Sequence, residues 1–361
     1  GRRVCLKIEF IKKEGQGYPE AGTVLGFEQF RLNDEGRMMD QALENEEKRT
    51  QPVEKENKKA GTDRESSLQL YDSRERITIS GNGFTYQFDK RNGSFSSMVI
   101  EGKEYLKRPV EYQIYRAPLD NDMFVSGRVP GHQNNWKTLG LDKADVYTFD
   151  SAIEGNEERI IITCPLALTA VHMAPLAEIR AVYTIEASGR VTVDLDTKIR
   201  EDIDWLPRFG IRLCLDKSLS HCAYYGYGPL ESYVDKKCGC WLDRFEAEVN
   251  EMFEDYIRPQ ENSSHCGTEY CILSDENVSL EITSPRPFSF NVSEYMWEEL
   301  EKKKHNFELN KSDYTVLHLD YFMSGVGTGS CGPETRPEYR LTEKNFRAVF
   351  VLDWKKERKS L

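Results

Sequence analysis

The chain has no uninterrupted apolar run near the roughly 20 residues that a bilayer-spanning helix requires. Nothing at its N-terminus reads as a secretion signal. It also lacks an excess of cations, since 49 Lys and Arg stand against 61 Asp and Glu for a net charge of −12. Phosphate backbones and anionic membranes attract the opposite sign, so neither nucleic acid nor membrane is expected as a partner. The nine Cys are odd in number and have no framework spacing. That argues against a disulfide scaffold and for a reducing compartment, hence a cytoplasmic location. Cys238, Cys240, His265, Cys266 and Cys271 do not show the gaps favoured by structural zinc, and no metal site is assigned. The six His match neither a nucleophile elbow nor a metalloprotease spacing, and no acid pair stands out by spacing as a hydrolytic dyad.

What is present is β-structure. Apolar residues make up 39%, with 17 Phe, 18 Tyr and 5 Trp, enough to bury a large core. Most of the chain alternates with period two between turn residues. In 190–198, Val191, Val193 and Leu195 face one way while Thr192, Asp194 and Asp196 face the other, which with 179–185 makes a hairpin. Further strands are expected at 4–10, 24–32, 76–80, 84–88, 159–164, 209–215, 278–283, 314–321 and 346–354. Strands so spaced, with few helical intervals, indicate an antiparallel sandwich. One short helix is expected, capped by Asn291 with Glu294 reaching back, over 295–300. Residues 33–70 are crowded with polar side chains and read as a solvated linker, dividing a strand pair in 1–32 from the main domain, 71–361.

Four segments depart from the strand background. The first runs Arg116-Ala117-Pro118-Leu119-Asp120-Asn121-Asp122 and continues into a Gly- and Asn-rich stretch, 124–135. The others are 225–235, with Gly226-Tyr227-Gly228-Pro229-Leu230-Glu231-Ser232-Tyr233, then Arg258-Pro259-Gln260-Glu261-Asn262, and the Gly-rich 325–333. Carboxylates and amides beside aromatics are what sugar sites use, because hydroxyls need both acceptors and donors while ring faces stack. The same residues have structural readings: Arg116 can pair with Asp120 or Asp122 to hold a loop, and the glycines can simply shape turns.

In this order the four segments resemble the C-terminal region of glycoside hydrolase family 2 β-galactosidases of the large bacterial type. Pro19-Glu20-Ala21-Gly22, 27–32, Arg244, Met252, Tyr256, 288–291 and 320–327 continue the resemblance, which covers 18–354. It implies an all-β fold, a large antiparallel supersandwich of the galactose-mutarotase-like type, preceded by the last strands of an immunoglobulin-like domain. It implies that the catalytic glutamates, with any Mg and Na sites, sit on domains outside this segment. No catalytic residue and no cofactor is therefore assigned here. The implied role is a wall and lid of a galactoside cleft. Arg116, Asp120, Asn121, Asp122, Ser126, Gly127, Glu261, Asn262 and Cys331 are its substrate-binding candidates, and 124–135 is the lid. Cys331 stands where some relatives carry an aromatic, and Ser263 and His265 stand where the family usually has Gly and Arg. The implied partners are the galactoside, reached through the complete enzyme, the catalytic domains or a separate large subunit, and further copies in a homo-oligomer. Two other readings compete: a stand-alone carbohydrate-binding module, and a mutarotase-like enzyme using His318 and Glu261.

Overall fold

A computed structural model describes residues 4–13, 18–32, 67–125, 129–130, 132–327 and 334–357. The chain divides into two compact units, 1–61 and 62–361. In the first, β1 (Val4–Ile11) and β2 (Val24–Leu32) form an antiparallel ladder from Val4↔Leu32 to Ile11↔Val24. Most of the expected linker, 33–66, lies outside the described residues.

The second unit opens with a five-stranded meander. It contains β3 (Gln69–Asp72), β4 (Arg76–Gly81), β5 (Phe84–Asp89), β6 (Ser94–Ile100) and β7 (Lys103–Glu104). This sheet starts at Gln69, inside the span expected as linker. After β8 (Glu111–Gln113) come a four-residue helix α1 (Asp120–Met123), the short pair β9 (Phe124–Val125) and β10 (Val129–Pro130), and α2 (His132–Leu139). The expected lid loop 124–135 therefore holds a two-residue ladder and the start of a helix. Asn-rich sequence alone hides this, because Asn134 and Asn135 are weak helix formers whose segment is continued by Trp136-Lys137-Thr138-Leu139.

The remaining strands are β11 (Asp145–Thr148), β12 (Ala152–Gly155), β13 (Arg159–Thr169), β14 (Ala177–Glu186), β15 (Val191–Ile199) and β16 (Arg208–Asp216). They are followed by β17 (His221–Gly228), β18 (Trp241–Glu248), β19 (Ser264–Ser274), β20 (Val278–Ser293), β21 (Tyr314–Met323) and β22 (Asn345–Lys356). Together with β8 they build a 13-stranded antiparallel sheet along β11-β13-β14-β15-β22-β20-β19-β17-β18, with β12 on β13 and with β21, β16 and β8 branching from β20. The architecture is the antiparallel supersandwich expected.

The β14–β15 hairpin shows why period two was legible. Ile179, Ala181, Tyr183 and Ile185 are buried, as are Val191, Val193 and Leu195 opposite them. Gly189 closes the turn with φ +87, a conformation that costs an L residue strain. The small sheet packs on the large one through aromatic edges, with Tyr183 5.1 Å from Phe88 and 5.4 Å from Phe95 between ring centroids. Each such ring contributes about 1.5–3 kcal/mol by leaving water. Tyr183 and Tyr112 share a hydrogen bond of 2.6 Å, which satisfies two hydroxyls that the packing buries.

The helix expected after Asn291 begins later. Asn291 lies inside β20, and α3 (Trp297–Lys302) follows Met296, which makes no side-chain cap. The Asn291 side chain instead donates to the carbonyl of Asn262 at 2.5 Å. A tertiary acceptor has taken the amide that local reasoning assigned to a cap.

Candidate functional site

The four segments that depart from the strand pattern converge. Arg116, fully buried, grips Asp122 through a fork, Nε to Oδ2 at 3.2 Å and Nη2 to Oδ1 at 3.0 Å. Its remaining N–H groups donate to the carbonyls of Ser324 (2.6 Å) and Gly325 (3.0 Å). Asp122 also accepts the amide of Leu119 at 3.0 Å, which closes the turn into α1. Arg116 thus ties segment 116–122 to segment 323–327. Asn121 adds a second tie by donating to the carbonyl of Val326 at 2.6 Å.

Asp235, from the second segment, holds the same Gly-rich loop from the other side. Its carboxylate accepts the amides of Val326 (3.0 Å) and Gly327 (2.8 Å). A Cβ on Gly325 would stand 2.5 Å from Asp235 Oδ2, so that approach requires glycine.

The third segment joins through Glu231 and Glu261. Glu231 accepts from Lys236 and Tyr256 on one oxygen and from the amide of Ser263 at 2.8 Å on the other. Ser263 adopts φ +61, the left-handed backbone expected of a glycine there, and its hydroxyl is used by Asn262 and by the Glu254 amide. His265, where the resemblance expects an arginine, makes no ion pair among the described residues. It is buried, lies 3.0 Å from the Tyr224 hydroxyl, and burial lowers its pKa to about 4, so it is neutral.

Glu261 is also buried, with its amide donating to the carbonyl of Ala117 at 3.2 Å. One carboxylate oxygen stands 3.4 Å from Arg208, while the other has no partner among the described residues. Burial pushes its pKa up to about 7, against the pull of Arg208. Arg208 is itself forked onto Asp320 at 2.9 and 2.6 Å. Sequence reasoning did not find Arg208. Its only local signal was a cation at the start of an apolar strand.

Among the candidates, Arg116, Asp122, Glu261 and Asn262 are thus buried and held within the chain, where they fix loops. Asp120 is exposed and Asn121 half-buried, on the outer side of the cluster, with Arg258 3.7 Å from Asp120 and Gln260 accepting the Asp120 amide at 3.2 Å. Ser126, Gly127 and Cys331 lie outside the described residues. His318 is buried too, and burial with the charges of Arg208 and Arg212 keeps it neutral. Among the described residues no group of three or more His, Cys, Asp or Glu is arranged to hold a metal ion. No helix of the described residues is long and apolar enough to cross a membrane.

Fold and site define an all-β supersandwich whose loops meet in one buried, ion-paired polar cluster. Residues 80–352 match the family model described as beta galactosidase small chain. The chain is 34% identical over 352 residues to a β-galactosidase of Actinobacillus pleuropneumoniae, covering 98% of this chain and 32% of that protein. It is 32% identical over 272 residues to a β-galactosidase of Staphylococcus xylosus, covering 75% and 27%. The galactose 1-epimerase of Lactobacillus acidophilus is a structural neighbour at TM-score 0.42 and 9% identity, covering 81% of this chain and 99% of that one. The chain belongs to the β-galactosidase small-chain family. It spans about a third of the length of the curated relatives it matches.

Proposed function

We propose that this chain is one part of a family 2 β-galactosidase, which hydrolyses terminal β-D-galactosides with retention. It supplies a wall of the substrate cleft and assembly contacts, and the remaining part of the enzyme supplies the catalytic glutamates. Retaining hydrolysis needs two carboxyls about 5 Å apart at one scissile bond, one of them ionised and facing the anomeric carbon. Glu231 and Glu261, the glutamates of the loop cluster, do not suit that task. Both are buried, and Glu231 is saturated by Lys236, Tyr256 and the Ser263 amide. The outer side of the cluster, with Asp120, Asn121 and Arg258, is the face that can meet a sugar hydroxyl. Arg116, Asp122, Glu261 and Asn262 hold that face in place, and Ser126, Gly127 and Cys331 belong to the same wall.

The observation that carries this reading is the coverage: nearly all of this chain matches only 32% of its relative. The rest of the enzyme lies in domains of the same polypeptide or in a separate large chain. The small-chain description of the matched family favours the second arrangement. Any Mg or Na belongs to those other domains, and the complete enzyme is a cytoplasmic homo-oligomer.

The purified chain is expected to release nitrophenol from a nitrophenyl β-galactoside no faster than buffer, and to gain activity on mixing with the remaining domains. Turnover by the chain alone, abolished by Glu231→Gln or Glu261→Gln, would place the dyad inside the sandwich and overturn the proposal.

A further inference from the structure

Strand β8, the middle of β16, residues 141–146 and helix α3 line a cavity of about 420 Å³. Small-molecule sites occupy roughly 300–1,000 Å³, so the space suits one small ligand. None of its lining residues belongs to the Arg116–Asp122–Glu261 cluster. Its floor is a built polar array. Arg212, 3% exposed, donates to Glu298 through both terminal nitrogens at 2.8 Å and to Glu111 through Nε at 2.8 Å. Gln113, also buried, accepts the indole N–H of Trp297 at 3.0 Å. The edges of Trp297 and Tyr115 meet at 5.1 Å between ring centroids. Asp142 lines the same space, and its Oδ1 is shielded from solvent with no hydrogen-bond partner among the described residues.

We propose that this cavity binds a neutral polyhydroxylated molecule of monosaccharide size. Four carboxylates (Glu111, Asp142, Asp145 and Glu298) and two cations (Arg108 and Arg212) line it, a balance that repels anions such as sugar phosphates. A small organic cation gains little there: Glu111 and Glu298 are already paired, with Arg108 (3.3 Å) and Arg212, and Asp145 is exposed and screened by solvent. What those carboxylates retain is acceptor capacity, since each ionised group offers about four lone-pair sites. Hydroxyl groups supply the matching donors without bringing charge. The unpartnered Asp142 oxygen is one such acceptor, and the indole and phenol rings offer flanking apolar surface. Arg212 fixes the two acceptors before any ligand arrives, which lowers the ordering cost of binding.

The inference does not rest on hydrolysis, so it is tested on the chain as purified. D-galactose and D-glucose, titrated to tens of millimolar, are expected to shift the Trp297 indole N–H resonance, identified by its loss in Trp297→Phe. The shift should saturate, and Ala144→Leu, which fills the cavity from its wall, should weaken it at least tenfold. Glu298→Gln, which keeps the shape of the side chain, should weaken it several-fold and keeps the test open if the first variant does not fold. No saturable shift with either hexose overturns the proposal. Binding that survives Ala144→Leu, or a response to tetramethylammonium in place of the hexoses, also overturns it.

Discussion

Arg208 and Arg212 project from one face of β16, separated on that face only by Gly210, and each is buried against two carboxylates. Arg208 serves the loop cluster through Asp320 and Glu261. Arg212 serves the cavity through Glu111 and Glu298. Adjacent strands bring the acids in, since Gly210 lies opposite Asp320 and Arg212 opposite both His318 and Glu111. A single strand thus sets the position of both polar regions.

Gly210 is the point where that arrangement is most exposed to substitution. A Cβ there would stand 2.0 Å from the carbonyl oxygen of Leu319 and 2.8 Å from Asp320 Oδ1, and strand backbone cannot move aside cheaply. Gly210→Ala is expected to destabilise by about 3 kcal/mol, the upper end for overpacking. Gly239→Ala, with nothing within 4 Å of its Cβ, is expected to be near neutral. Paired chemical-denaturation curves check both, and equal midpoints would refute the packing argument.

The Arg116–Asp122 pair has side chains 0% and 3% exposed. Arg116→Ala strands a buried carboxylate and is expected to cost roughly 3–5 kcal/mol. Arg116→Lys keeps the charge but not the fork, and should recover only part of the loss. Urea midpoints of the three proteins, compared at one pH, give the order directly.

Glu261 predicts a pH dependence. Its folded pKa of about 7 lies above the 4.5 of a free side chain, so the folded chain holds a proton that the unfolded chain has released. Stability from this group is therefore full below pH 4.5 and is lost as pH rises through 7. Asp320, also raised by burial, acts in the same direction from the acid side. His265 and His318 act oppositely: their lowered pKa values add stability as pH rises towards 6.5. Because the unfolded chain's histidines are still half protonated at pH 6.5, the Glu261 effect is read as a difference between two proteins that share them. Between pH 6.5 and 8 the chain should lose about 1 kcal/mol relative to Glu261→Gln. Melting temperatures across that interval decide the matter, and parallel curves for the two proteins would count against it.

Asn121 offers a test at the loop surface. Asn121→Ala removes the hydrogen bond to Val326, a net loss of about 0.5–1.5 kcal/mol, while Arg116 still holds the loop base. In the complete, reconstituted enzyme the variant should raise KM roughly 2- to 10-fold with little change in kcat. A fall in kcat at constant KM would assign Asn121 to the reaction itself and not to loop placement.

How much of this was legible in the chain depends on sequence separation. Alternation along β14 and β15 predicts their buried faces because the side-chain period is a property of the strand itself. The Arg116–Asp122 fork was within reach for a similar reason: the partners are six residues apart, so one turn brings them together, although Asp120 and Asp122 could not be told apart. Asp122 prevails because its carboxylate also takes the Leu119 amide, while Asp120 faces solvent.

Other features depend on partners that no local pattern identifies. Arg208 meets Asp320 across 112 positions and Glu261 across 53. Asn291 looked like a helix cap, and the carbonyl of Asn262, 29 residues away, decided otherwise. The sequence by itself determined the all-β class, the hairpin faces and the segments that break the strand pattern. Only the tertiary structure decided that Glu231, Glu261 and Asn262 point inward as loop supports and that Arg212 frames a cavity. The physical reason is that burial of a charge is tolerable only beside its counter-charge, and strand pairing chooses that neighbour from anywhere in the chain.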